Sequence, residues 1–426
     1  MRVLAINDIS CVGRCSLGIA VPVLSACGCV CDLLPTAVLS THTGGFEGFT
    51  FLDLTDEIPK ITAHWKTLSI SYDVIYSGYL GSKRQVELVK AIRRDFLKPN
   101  GKFVVDPVLG DHGKLYTNFD ESFVDAMREL CKEADHILPN VTEASYLTAL
   151  PYGAPPERLL EELKKLCPSP IVTSADTESE TRTFYPGGVL SLPLAPGIYH
   201  GTGDAFASAF TACIARGLPV SACVSIAGRF STRAVSLTPL EADKRYGIEF
   251  EAAIPYLLEL LSGKETLRKI RARAIDYFGS DVSRIHHMLK VLGFAQLIAE
   301  GEKLSERESF LLSACAILHD IGIPESEKKY GNANGKNQEK EGPPVARALL
   351  SDLTDEETTE RICRVVSLHH SYSKIGGDKI LQMLVEADML VNARDEEIPR
   401  ESLALFKERV FRTESGKKYL EKLYLV

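Results

Sequence analysis

The chain lacks most of the features that would tie it to a membrane, an oxidising compartment or a nucleic acid. No apolar run reaches the ~20 residues of a confident membrane-spanning helix. The uncharged stretch CSLGIAVPVLSACGCVC (15–31) follows Asp8 and Arg14, is broken by Gly18 and Pro22, and has no basic segment before it. It reads as a strand followed by a buried helix, not as a signal peptide. Basic runs with interleaved aromatics are missing and the net charge is −8, which excludes a general nucleic-acid or anionic-membrane binder. The 11 cysteines include no CxxC pair, so neither a zinc knuckle nor, without a secretory signal, a disulfide scaffold is expected. Cys27, Cys29 and Cys31 alternate as one face of a strand would, and read as small core residues. A cytoplasmic location is the expectation.

What is present is an ordinary globular composition, 45% hydrophobic and 25% charged, over 426 residues. That length exceeds what one hydrophobic core serves, so two domains are expected. Residues 1–262 alternate short apolar runs with amphipathic stretches. RVLAI (2–6), DVIYSG (73–78), KFVVDP (102–107), HILPN (136–140) and PIVTSA (170–175) read as strands; 82–96 and 156–167 read as helices. This rhythm predicts an α/β domain with a mostly parallel central sheet, and TRTFYPGGVLSLPL (181–194) predicts a hairpin about Gly187-Gly188. Residues 263–275 read as a charged junction. From 276 to 426 the pattern predicts an all-α domain, interrupted by a long polar loop, EKKYGNANGKNQEKEGPP (327–344), of the kind that forms lids.

The first half carries several chemical clusters. GTGDAFASAF (201–210) sets two glycines and an acid at the start of a helix, where free N–H groups and the helix dipole favour an anion. Asp204 at that N-terminus is expected to stay ionised and to be a weak base, which suffices for a loose transition state; a plain N-cap is the alternative. DPVLGDHGKLY (106–116) places Asp106 and Asp111 just after a strand, where hard carboxylates suit Mg²⁺. PNVTEA (139–144) puts Asn140 and Glu143 at a helix start, a capping box or a ligand pair. STHTGGF (40–46) offers His42 and Thr43 beside glycines, a place to hold a small polar ring. No GxxxxGK[ST] occurs, so this is not a P-loop enzyme.

Taken in order, NDIS, STHTGGF, SGYLGS, DPVLGDHGKLY, PNVTEA, TS and GTGD resemble the ribokinase-like superfamily, and within it the pyridoxal (vitamin B6) kinases, over residues 1–262. The resemblance implies ATP-dependent phosphorylation of the 5′-hydroxymethyl group of pyridoxal, pyridoxine or pyridoxamine, with ATP and Mg²⁺ as cofactors. It implies Asp204 as the base and Gly201, Thr202 and Gly203 as the anion hole. Ser10, Thr43 and Tyr79 would contact the ring. Asp106, Asp111, Asn140 and Glu143 would organise Mg-ATP, and Thr173 and Ser174 would line the nucleotide side. A homodimer is implied. The rival is the hydroxymethylpyrimidine kinase group, whose members commonly carry Cys where this chain has Asp204 and a glycine-rich first loop where it has ISCVGRCSLG.

In the second half, AILHDIGIP (316–324) puts His319 and Asp320 side by side in an apolar run, where charge is costly unless paired or metal-bound. His287, the pair His369-His370 and Asp388 sit in separate helical patterns, each with a bland explanation: core histidines, a helix end, a cap. The ordered set H…HD…D, with IG after HD, resembles the HD superfamily of metal-dependent phosphohydrolases over about residues 280–395. It implies that His287, His319, Asp320 and Asp388 bind a divalent metal such as Mn²⁺ or Fe²⁺, with His369 and His370 as additional ligands or substrate contacts and Lys290 near the phosphate. Two-metal members carry a further histidine where this chain has Gln338 and Glu339. The alternatives left open are a second domain acting on an unrelated phosphate ester, or serving as a non-catalytic regulatory module.

Overall fold

Val3, Leu4, Ala5 and Ile6 form an unbroken apolar run because the strand they belong to, β1 (Arg2–Val12), is covered on both faces. In the computed structural model, which describes residues 1–425, the chain separates into two units, Met1–Leu261 and a second from Ser262 onward. In the first, β1 is an interior strand of a seven-stranded sheet with β2 (Val30–Thr41), β3 (Phe51–Asp53), β4 (Tyr72–Ser77), β5 (Leu97–Val105), β8 (His136–Ile137) and β9 (Ser169–Pro170). The spatial order is β3-β2-β1-β4-β5-β8-β9, parallel throughout except for β3 at one edge. Two antiparallel pairs stand apart from it: β6 (Gly110–Asp111) with β7 (Lys114–Leu115), and β10 (Glu180–Tyr185) with β11 (Gly188–Pro193).

Alternation along β1 sends Val3 and Ala5 to one side and Leu4 and Ile6 to the other. The first side packs against α1 (Leu17–Ala26), α7 (Thr202–Ala215), α8 (Val220–Leu237) and α9 (Phe250–Leu261). The second packs against α2 (Ile58–Thr67), α3 (Lys83–Phe96), α4 (Glu121–Cys131), α5 (Val141–Thr148) and α6 (Pro156–Leu163). This doubly wound layering is the α/β architecture expected from the alternating pattern. The stretch 15–31 differs in order: it is helix α1 and then the start of β2, with Cys27 ending the helix and Cys31 alone of the three cysteines inside the strand. Pro22 is tolerated because α1 is short and packed on both flanks.

The second unit is all helical: α10 (Lys264–Phe278), α11 (Val282–Gly301), α12 (Glu306–Leu318), α13 (Ile323–Tyr330), α14 (Gly335–Leu350), α15 (Glu356–Val366), α16 (Lys379–Asp395), α17 (Arg400–Arg409) and α18 (Glu414–Leu420). Two expectations are corrected. The 263–275 junction is most of α10, whose Ile270, Ala274 and Phe278 are buried in this unit's core, while Lys264, Arg268, Lys269 and Arg271 stay on the exposed face. The 327–344 loop is the end of α13, a four-residue turn and the first half of α14. Asn334 caps α14 by accepting from the Asn337 N–H (3.0 Å), and Lys329 and Tyr330 on α13 grip Glu341 on α14, so a polar stretch becomes a helical hairpin.

Helix α16 is apolar nearly all round, as a helix in the middle of a bundle must be. It also carries Glu386, whose side chain is fully buried. Its Oε1 accepts from the Arg412 N–H (2.6 Å), the Thr413 N–H (3.0 Å) and Gln382 Nε2 (2.7 Å), while Oε2 accepts from the Thr413 hydroxyl. The carboxylate therefore caps the entrance to α18 from inside the core. Glu386→Ala leaves those buried donors unmet, and is expected to lower the stability of the second unit by about 3 kcal/mol. Urea unfolding of the full chain measures it.

Candidate functional site

Ligands bind open α/β sheets beyond the carboxyl ends of the strands, and there the first unit gathers its polar residues. Gly201 precedes α7 with φ of +83°, and a Cβ at that position would lie 2.4 Å from the Arg14 carbonyl oxygen, so only glycine lets the chain enter the helix here. Nothing lies within 4 Å of a Cβ built on exposed Gly203, which leaves the first turn of α7 open. Asp204 stands in that turn. Asn7 accepts from the N–H groups of Asp8 (3.0 Å) and Tyr79 (2.8 Å) through Oδ1, which fixes its amide so that Nδ2 donates to Asp204 Oδ1 (3.5 Å). Ser16, held at φ 50°, ψ −130°, turns its N–H toward the same carboxylate. Burial pushes Asp204 up to about 6 against the Ser16 N–H, with Asp8 adding to the rise and Asn7 opposing it. Asp204 is thus a better base than its place at a helix N-terminus suggested, because loss of water outweighs the dipole.

Asp106 follows β5 directly, and burial with Glu143 and Asp204 nearby holds its carboxyl well above the usual range. Glu143 is pushed up to about 8 by burial, in spite of accepting backbone N–H bonds. Asn140 and Glu143 make the capping box of α5: the Asn140 N–H donates to Glu143 Oε2 (2.8 Å) and the Glu143 N–H to Asn140 Oδ1 (2.9 Å). The pair also anchors the chain around β6, since Glu143 Oε1 accepts from the Leu109 N–H (3.1 Å) and Asn140 donates to the Gly110 carbonyl (2.9 Å). Asp111, exposed in β6, completes the group. Crowded carboxylates offering oxygen donors only, two of them, Asp106 and Glu143, raised by burial, are what a hard divalent cation such as Mg²⁺ neutralises. Thr173 is bridged to Asn140 on the same edge, and Ser174 beyond it is exposed with φ of +55°.

Ser10 is buried on the same face of β1 as Asp8 and donates to Asp8 Oδ2 (3.1 Å). Buried His42 is engaged through both ring nitrogens, Nε2 with the Arg245 carbonyl (2.5 Å) and Nδ1 with the Gly44 N–H (3.1 Å), and this pins the loop that exposes Thr43. Tyr79 is half-buried and tied through its N–H to Asn7. Asn7, Asp8 and Ser16 were not singled out from the sequence. The signal available was two polar residues, Asn7-Asp8, ending the apolar run of β1.

In the second unit, His319 caps the end of α12 with helical backbone angles and Asp320 follows in the turn beyond it, so both side chains stand where the helix gives way to the turn. Ligand atoms of His287, His319 and Asp320 lie within 4.8 Å of one another, as do those of Asp320, His369 and His370. Asp388, in mid-helix of α16 and so no cap, approaches His287 Nε2 at 3.1 Å and His319 Nε2 at 3.7 Å. His319 and His369 each direct Nδ1 at a backbone carbonyl, Ala316 (2.9 Å) and Val366 (2.7 Å), which leaves Nε2 as the lone-pair donor of the neutral ring. Buried His369 Nε2 makes no hydrogen bond among the described residues. Burial disfavours charge on His319, yet Asp320 and Asp388 prevail and raise it to about 9. Burial likewise opposes the Asp320 charge, and His319 overrides it to hold the carboxyl well below the usual range. Two carboxylates and the Nε2 atoms of His287, His319 and His369 thus face one another, a donor set that fits a divalent metal.

Lys290 has a different partner from the one expected. Its ammonium bonds both oxygens of Asp395 (2.8 and 3.0 Å), and Asp395 in turn lies 3.7 Å from His287 Nδ1, an orienting arrangement behind a ligand. His370 Nε2 meets Gln338 (2.9 Å), and Glu339 accepts from the His370 N–H (3.1 Å) and the Ser371 hydroxyl (3.0 Å). Both residues at the place of the missing histidine are therefore occupied in holding the turn at 369–371.

Comparison with known proteins agrees with both halves. Residues 21–248 match the phosphomethylpyrimidine kinase family, and residues 284–405 match the HD domain. A provisional phosphomethylpyrimidine kinase of Bacteroides thetaiotaomicron, solved with pyridoxal, is 40% identical, covers 60% of this chain and 95% of its own, and superposes with a TM-score of 0.57. Pyridoxal kinase of Lactobacillus plantarum is 32% identical over 61% of this chain and 98% of its own, with a TM-score of 0.58. The pyridoxine/pyridoxal/pyridoxamine kinase of Bordetella avium is 26% identical over 259 residues, 54% of this chain and 82% of that protein. The chain belongs to the phosphomethylpyrimidine kinase family, with a pyridoxal-kinase-like first unit and an HD domain in the second.

Proposed function

We propose that the first unit transfers the γ-phosphoryl group of ATP to the 5′-hydroxymethyl group of a B6 vitamer, and that the second is a metal-dependent phosphohydrolase, the two working in a cytoplasmic homodimer. The observation that carries the first half is Asp204: a base of pKa about 6 at the open, glycine-flanked start of α7, with Asn7 and Ser16 holding its carboxylate. Its likeness to a protein solved with pyridoxal supports the choice of substrate.

In this reading Asp204 takes the hydroxyl proton as the substrate oxygen bonds to phosphorus and the bond to ADP breaks. Phosphoryl transfer is loose and needs positioning more than a strong base. The first-turn N–H groups of α7, from Gly201, Thr202 and Gly203, face the developing negative charge. Ser10, Thr43 and Tyr79 orient the ring, and Thr173 and Ser174 line the nucleotide side. Asp106, Asp111 and Glu143, with Asn140 fixing Glu143, would hold Mg²⁺, which when bound neutralises the phosphate oxygens. In the second unit His287, His319, Asp320 and Asp388 would hold one divalent ion such as Mn²⁺ or Fe²⁺, supplying Lewis-acid polarisation of a phosphate ester. His369, whose Nε2 lies 3.5 Å from Asp320, and His370 would contact the ester.

Phosphorus NMR of the full chain with pyridoxal, ATP, Mg²⁺ and Mn²⁺ tests both halves. The expected trace is a pyridoxal phosphate signal that rises, then decays to free phosphate once ATP is spent. Asp204→Asn should slow the rise by about 10³-fold, and Asp320→Ala should abolish the decay alone. A signal that persists in the wild type gives the HD domain a different phosphate ester. A raised pKa on a base costs activity on the acid side, so kcat/KM for the vitamer should fall tenfold per pH unit below about 6 and be level just above it. Calorimetry with Mn²⁺ alone should show Asp395→Asn weakening the second unit's affinity by about 10- to 100-fold, as loss of an orienting partner does; unchanged affinity would remove Asp395 from the site.

A further inference from the structure

We propose that Asp8 is a substrate-specificity residue of the first unit, its carboxylate receiving a protonated ring nitrogen of the acceptor; this rests on the kinase reading above. The backbone argues for it first. Along β1, Asn7 pairs with Pro35 of β2 but Ile9 pairs with Val38, so Asp8 alone faces two residues, Thr36 and Ala37. Such a slip re-aims side chains and is common beside active sites. It is fixed in place here: the Thr36 hydroxyl donates to the Tyr79 carbonyl (3.0 Å), and Gln85 Nε2 donates to the Thr36 carbonyl (3.0 Å).

The second argument is the unmet charge. Asp8 is only 6% exposed. Its Oδ2 accepts from the Ser10 hydroxyl (3.1 Å), and the Ser16 hydroxyl also turns toward it. These partners are neutral, and no lysine or arginine pairs with Asp8 among the described residues. His42 favours the Asp8 charge electrostatically but makes no bond to it, both its ring nitrogens being spent on the Arg245 carbonyl and the Gly44 N–H. A buried carboxylate whose bonded partners are neutral lacks the directly paired cation that would offset its desolvation. Burial accordingly raises its carboxyl, with the Ser16 and Ser10 hydroxyls opposing.

The third is location. Asp8 shares a strand face with Ser10, adjoins Asn7, which holds Asp204, and acts electrostatically on Tyr79 and Cys15. The unmet charge therefore lies among the residues proposed to hold the ring, and the partner it lacks is one the acceptor brings. An aromatic alcohol with a protonated ring nitrogen completes the pair; an isosteric ring with carbon in that place leaves the carboxylate buried and unmatched. Sites built around a buried polar group discriminate strongly against the analogue that lacks the complement.

The test uses the full chain, pyridoxine, and its carbocyclic analogue in which CH replaces the ring nitrogen, with binding read by calorimetry and turnover by phosphate transfer from ATP. The wild type should bind the analogue on the order of 100-fold more weakly than pyridoxine. Asp8→Asn and Asp8→Ser should weaken pyridoxine binding by about 30-fold while leaving analogue binding within about threefold, so that selectivity collapses through KM with kcat little changed. Equal wild-type binding of the two compounds overturns the proposal whether or not either variant folds. So does a variant that folds and keeps the wild-type ratio. Binding that depends on Asp8 without any phosphorylation would keep the assignment of Asp8 and sink the kinase reading, whereas binding of neither compound sinks both.

Discussion

Negative charge buried without enough positive charge is the constraint on which both units are organised. In the first, Asp8 on β1, Asp106 after β5, Glu143 on α5 and Asp204 at the start of α7 share one side of the sheet's carboxyl edge, and burial lifts each of them. Backbone N–H groups, hydroxyls and one amide are the compensation the protein itself offers. The rest must come from outside, as a magnesium ion, a proton or a cationic ring. In the second unit the protein supplies part of the answer itself. Imidazoles surround Asp320 and Asp388, and the two carboxylates raise His319 to about 9, so one imidazole's charge offsets part of theirs and leaves the remainder for a metal. One site waits for charge; the other exchanges a proton for it.

The scaffold explains how such unfavourable groups can be held. The strands that end at the first site are buried on both faces, so Asn7 and Asp106 are continuations of runs with no freedom to retreat toward water. Helix α16 does the same for Asp388. It is so thoroughly apolar that its two buried acids, Glu386 and Asp388, are fixed by the packing around them, one spent on structure and the other turned to the histidines.

The architecture was legible because it is written in periodicity: alternating β and α runs before 262, helical spacing after. The clusters were legible as motifs, since GTGD, DPVLGD, PNVTEA and HDIG each place a chemical group at an element's end. What escaped the sequence depended on partners distant in the chain. The charged stretch 263–275 hides the buried side of α10, because three apolar residues among basic ones are enough to dock a helix. The polar stretch 327–344 hides α13 and α14, whose stability comes from Lys329, Tyr330 and Glu341 meeting across the turn. Asn140 and Glu143 turned out to cap α5 as well as to face the acidic group. Lys290 looked available for a phosphate until Asp395, 105 residues away, was found on it. Asp8 stood inside a quoted motif, and only the register slip against β2 shows why it matters.

The glycine after His319-Asp320-Ile321 has a mechanical consequence. A Cβ on Gly322 would lie 2.6 Å from both the Gln338 carbonyl oxygen and the Gly342 nitrogen. The turn that carries Asp320 is therefore pressed against α14 with no side chain as a spacer, just before Pro343 and Pro344, which take two backbone N–H donors out of that helix. The same helix holds His370 through Gln338 and Glu339. Asp320 and His370 thus ride on a common strut, and a push on α14 would reach both sides of the histidine cluster as one displacement instead of two.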